Sequence, residues 1–89
     1  TLVRGKPSYD VAIHFDPAFA ENIADTQWHH TQEIEWQEDD SLIFRCRVDG
    51  LEEIVWWVMS MGPYCRVLEP SALAERVAEL AAKVVEQYE

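Results

Sequence analysis

Three arginines and one histidine are the residues of this sequence best placed to act together. Arg45 and Arg47 stand two apart in the run Leu42-Ile43-Phe44-Arg45-Cys46-Arg47-Val48. Alternate residues of a strand point to the same face, so their guanidinium groups share one side of a sheet. Arg66, in Cys65-Arg66-Val67, and His14, in Ile13-His14-Phe15, fall on that side if their segments join the same sheet. A row of cations there could hold an anion or an effector. The plainer reading is a solvated face on which Arg45 pairs with Glu35 and Arg47 with Glu33. Exposed pairs of that kind are common and contribute little.

Other chemistries find less support. His29-His30 suggests a metal, but neighbouring strand residues point to opposite faces. No Cys or third His stands at ligand spacing, so no metal site and no cofactor is expected. Cys46 and Cys65 read as small core residues rather than a disulfide. No nucleophile stands beside a base, so no enzymatic activity is expected.

The composition narrows the classes further. Seven Lys and Arg against seventeen Asp and Glu give the 89 residues a net charge of -10. Five of the eight residues from Glu33 to Asp40 are acidic. A chain this acidic is poorly suited to a nucleic-acid backbone, where cations supply most of the affinity. It is equally poorly suited to an anionic membrane surface. The longest apolar run, Ile54 to Met59, falls far short of the ~18 residues of a spanning helix. No basic segment followed by an apolar one opens the chain, so no secretion signal is read. Two cysteines make no disulfide framework, and a reducing, cytoplasmic setting is expected.

The elements that must position these residues can be read from periodicity. Tyr9 to Phe15 alternates, with Tyr9, Val11, Ile13 and Phe15 on one face, as in a half-buried strand. Asp16-Pro17 supplies a cap and a first-turn proline for a helix to about Asp25. Gln32 to Gln37 and Leu42 to Val48 alternate again, separated by the turn-forming Glu38-Asp39-Asp40-Ser41. Inward residues are even-numbered on both strands. A three-residue loop, Asp39 to Ser41, places Trp36 opposite Phe44 and Ile34 opposite Cys46. It also places Glu35 opposite Arg45 and Glu33 opposite Arg47, which favours that register. Asp40 would take the left-handed conformation near the end of such a loop.

Asp49-Gly50-Leu51-Glu52 resembles a capping box. The helix it opens carries Leu51, Ile54, Val55, Val58 and Met61 on one stripe and ends at Gly62-Pro63. Tyr64 to Leu68 reads as a fourth strand. Pro70-Ser71 opens a last helix with Leu73, Val77, Leu80, Val84 and Tyr88 along one face. Trp36 and Trp57 are expected in the core. Trp56 lies about 100° round the helix from Trp57 and is expected at solvent or an interface. Leu80, Val84 and Tyr88 are further interface candidates.

The order β-α-β-β-α-β followed by a helix is that of an α+β, ferredoxin-like sandwich with an additional C-terminal helix. Right-handed crossovers that each skip one position give the strand order 4-1-3-2. Both crossover helices then cover one face, and Cys46 and Cys65 lie on strands that do not touch. The last helix is left to the other face, an edge or a partner. Rival functions of this architecture can be tested on the residues. An RNA-recognition module needs rings on its two central strands, where this chain has Asp10, Ala12, His14, Ile43, Arg45 and Arg47. After the first strand, Asp16-Pro17 stands where a copper carrier has Cys-x-x-Cys and an acylphosphatase-like enzyme has an anion-cradling loop.

Trp57-x-x-Ser60-x-Gly62-Pro63-x-x-x-Val67-Leu68-Glu69-Pro70 resembles the C-terminal extension (WCX) domain that follows the WYL domain in bacterial helix-turn-helix transcriptional regulators. Val11-x-Ile13-x-Phe15-x-Pro17, Trp28-His29-x-x-Gln32 and the turn before Leu42 fit the same pattern. The resemblance covers nearly the whole chain. It departs at Asp40, commonly Gly in the family, and at Trp56 beside Trp57. It implies a regulatory and dimerisation module that couples effector sensing to DNA binding. A homodimer and a contact with the parent's WYL domain are the implied partners. DNA would be held by a domain N-terminal to this segment, with no direct DNA binding by residues 8–89. Residues 1–7 read as linker remnant of a longer protein. The competing expectation is a small-molecule or nucleotide effector-binding domain, similar to the small regulatory domains of amino-acid metabolism.

Overall fold

The computed structural model describes residues 8–89; the linker reading of residues 1–7 lies outside them. The elements run β1 (Tyr9–Phe15), α1 (Pro17–Asp25), β2 (Glu33–Trp36), β3 (Leu42–Val48), α2 (Glu52–Ser60), β4 (Cys65–Glu69) and α3 (Ser71–Glu86), with a 3-10 turn at Gly62–Tyr64. The architecture is α+β: one antiparallel sheet of four strands, ordered β2-β3-β1-β4, with three helices. Read from the other edge, that order is the expected 4-1-3-2.

The alternation of β1 and β3 makes one face of the sheet apolar. Val11, Ile13 and Phe15 of β1 and Leu42, Phe44 and Cys46 of β3 join Ala20 and Ile23 of α1, Ile54, Val55 and Val58 of α2 and Leu73 of α3 in a single core. Phe15 meets Phe44 edge-on at 6.3 Å, and both rings touch Trp57, at 5.5 and 5.1 Å. All three helices feed this core, so they lie on one side of the sheet. The last helix does not seek the other face: it packs along β4 and α2 and extends the helical layer.

Local capping behaves as expected at α1, where Asp16 accepts the Ala18 N–H at 2.9 Å. At α2 it does not. The helix begins at Glu52 with Leu51 as its cap and no side-chain cap bond. Leu51 packs against the core, which starts the helix three residues beyond Asp49 and out of its reach. Gly62 ends the α2 segment at φ 60, a left-handed conformation that costs glycine little.

The hairpin register also differs from expectation. Trp36 faces Leu42, Ile34 faces Phe44 and Glu33 faces Arg45, an offset of two residues. The loop has three residues, but they are Glu38 to Asp40, closed by Gln37 N–H donating to Ser41 O at 2.9 Å. Asp40 adopts φ 69 at the loop's last position. Asp39 holds Ser41 into the ladder by accepting its N–H at 3.0 Å and its hydroxyl. Trp36 is therefore no core residue. It keeps the helix-side orientation, but on an edge strand beside the start of α1, and stays 52% exposed.

One irregularity marks β4. Ile13 pairs with Val67, yet Ala12 pairs with Glu69, so Leu68 is an extra residue. Such a bulge re-aims the side chain that follows it. Here it turns Glu69 onto the helix-free face.

Candidate functional site

The helix-free face carries His14, Arg45, Arg47 and Arg66. Arg45 Nε donates to Glu35 Oε2 at 3.0 Å, and its Nη1 lies 3.5 Å from Glu69 Oε1. The Glu35 hydrogen bond is the main reason its guanidinium is held above the ordinary value. The Glu69 contact passes over Ala12, which is small and buried between the two strands. Arg47 pairs with Asp10 at 2.9 Å rather than with Glu33, because the register shift moves Glu33 opposite Arg45. Arg66 stands opposite His14, exposed and without an ion pair among the described residues. The face thus holds its arginines together, but two of the three already have carboxylates. An incoming anion would have to displace them.

His14 also belongs to a chain of hydrogen bonds that sequence patterns did not suggest. Its Nε2 lies 3.0 Å from Ser41 Oγ, which in turn donates to Asp39 Oδ1. Ser41 is buried. Its bonds are the main cause that holds the Asp39 carboxyl below the ordinary value. Ser41 donates its proton to Asp39 rather than to His14, so this is a structural tie between sheet and hairpin and not a nucleophile with its base.

The interface candidates separate into two groups. Leu80 packs partly against the core. Trp56, Val84 and Tyr88 are exposed at 56%, 47% and 87%. Val84 and Tyr88 continue the stripe that begins at buried Leu73, past the point where the core ends. Cys46 and Cys65 are unbridged, on strands separated by β1. Burial pushes both thiols up to about 11.

A cleft of about 550 Å³ opens between the α1–β2 loop, the end of β3 and the start of α2. Sequence reasoning missed it because its key wall, Trp28, lies in a loop with no periodicity to read. Gln32 shapes that loop. Its Oε1 accepts the N–H groups of Trp28 and His29, at 2.6 and 3.1 Å, and its Nε2 donates to Thr26 O at 3.1 Å. Trp28 Nε1 donates to Ile23 O at 3.2 Å, closing the end of α1. The Trp28-His29-x-x-Gln32 spacing is thus a loop staple. His29 and His30 lie in this turn rather than on a strand, with rings stacked at 4.5 Å. Among the described residues no three His, Cys, Asp or Glu gather as a metal site. No helix of the described residues is long and apolar enough to cross a membrane.

None of the curated proteins matches this chain. The family model of the WCX domain matches residues 7–85. That span takes in every strand, the loop staple and all but the last residue of α3, and on it the chain belongs to the WCX domain family.

Proposed function

We propose that this chain is the C-terminal regulatory and dimerisation domain of a bacterial WYL-type transcriptional regulator, working in the cytoplasm and without enzymatic activity of its own. Family membership supports the regulatory reading. Strand order and element order support reading the architecture as ferredoxin-like. In this reading DNA is held by a helix-turn-helix domain outside the chain, and effector sensing reaches it through contacts with a WYL domain.

The observation that carries the partner-binding part is α3. Its first half seals the core through Leu73, while Val84, Val85 and Tyr88 present apolar surface beyond it. Exposed apolar surface next to a packed stripe is typical of an interaction site. The occupant we assign is a second copy, meeting through the distal halves of the two α3 helices. Sedimentation of the chain over a range of concentrations tests this. Self-association that Val84→Glu/Tyr88→Glu abolishes supports it, and a monomer at all concentrations overturns it. In the full-length regulator the same pair of changes should weaken operator binding. For effector coupling, replacing both Arg45 and Arg47 should weaken the response; an unchanged response removes the open face from that role.

A further inference from the structure

The cleft beside α2 has a volume suited to a small ligand. Trp28 and Trp57 wall it, with centroids 5.3 Å apart and planes inclined at 45°; Phe44 packs on Trp57 from the core. Indole faces carry negative potential and attract cations. Asp49, Glu52 and Glu53 also line the cleft. All three are exposed, and none is in an ion pair among the described residues. No Lys or Arg lines it. The one basic ring is His29, which is bonded to Thr31. The positive end of the α2 dipole is already met by Glu52 and Glu53 in its first turn, so it does not call for an anion.

Rings and carboxylates thus converge on one ligand chemistry. We infer that this cleft binds a guanidinium group. Guanidinium is planar, stacks on aromatic faces and sheds water more readily than ammonium, which suits a site with an apolar floor of Phe44, Cys46 and Ile54. The Trp57 ring carries one further polar group. The indole N–H of Trp57 is buried with no acceptor, the only such side-chain atom among the described residues. A buried donor left unmatched is costly. That N–H is enclosed by protein, so the ring faces and the carboxylates carry the recognition, and a free or a peptide-borne guanidinium satisfies them alike. The inference does not depend on the regulator reading.

The test titrates the chain with three probes: agmatine, N-acetylarginine amide and N-acetylcitrulline amide, the last having nearly the shape of the second without its charge. Binding is followed by tryptophan emission and by the indole N–H signals. Both guanidines should give saturable changes at Trp28 and Trp57, with the citrulline compound at least about tenfold weaker. The affinity should fall with salt. Trp28→Ala should weaken binding about tenfold. Because Trp28 also closes the end of α1, the exposed pair Glu52→Gln/Glu53→Gln serves as the variant that keeps the fold. It should weaken binding several-fold and flatten the salt dependence. Tighter binding of the acetylarginine amide marks a peptide arginine as the ligand, and tighter binding of agmatine marks a free guanidine. Equal binding of the citrulline compound, an unchanged affinity in the double glutamine variant, or no saturable change with either guanidine overturns the inference.

Discussion

The stability of α3 should fall off sharply along its length. Leu73 is fully buried, Val77 and Leu80 are partly buried, and everything from residue 81 on is exposed. Truncating a fully buried leucine to alanine costs about 2–5 kcal/mol, the transfer of its methyl groups plus the cavity left behind. Leu73 touches both the sheet and α2 through the shared core, so the site cannot collapse around a void, and about 3 kcal/mol is expected for Leu73→Ala. Val77→Ala, half-buried, should cost about 1 kcal/mol. Val84→Ala should cost nothing measurable in the monomer, because its side chain leaves no cavity. A domain of this size has a net stability of only about 5–10 kcal/mol, so the first change would remove a large share of it. Urea unfolding at low protein concentration, with equal slopes for all variants, measures each value. At high concentration Val84→Ala should become destabilising if a second copy covers it, since association stabilises by mass action. Equal costs for Leu73→Ala and Val84→Ala at every concentration would refute the division of α3 into a packed and a presented half.

Further outcomes can be checked separately. Gln32→Ala should raise amide exchange at Trp28 and His29 and cost about 1–2 kcal/mol, because three backbone groups lose their partner; unchanged exchange would show that the loop holds itself. The Asp39 carboxyl is held low in the folded state, so its bonds stabilise the hairpin above its ordinary value of 3.8 and are lost as pH falls below it. The melting temperature of Asp39→Asn should accordingly depend less steeply on pH in the acid range than that of the parent. The two thiols are raised, so folding is favoured by them below the ordinary 9.0 and loses that contribution as pH rises towards 11. Iodoacetamide should label both cysteines far more slowly in the folded chain than in urea near pH 9.

Much of this was legible in the residues, and the misses have physical causes. Alternation identified β1 and β3 with their bounds, and Asp16-Pro17 marked the start of α1, because each signal is local. Family membership was legible in the order of short motifs. For the β2–β3 hairpin, parity correctly told which residues face the helices, since a one-residue slip would expose them all. Parity does not fix an offset of two. That was decided by Asp40 taking the left-handed position at the end of the loop and Asp39 drawing Ser41 into the ladder. Glu35 was matched to Arg45 by charge and stays its partner diagonally, whereas Arg47 turned to Asp10 across β1. The stripe of α3 was plain, but a stripe does not say which surface receives it. The Trp28–Trp57 cleft depends on a loop held by one glutamine side chain, which no periodicity reports.

The extra residue in β4 reaches beyond the ion pair it creates. β4 and β2 are the two borders of the sheet. A bulge breaks the even spacing of N–H and C=O groups that an added strand would need. On the opposite border β2 is only four residues long and carries Glu33 and Glu35. Among the described residues, both borders of the four-stranded sheet are therefore poor templates for another chain. The open-ended growth into fibres that an even, uncharged border permits is thereby disfavoured.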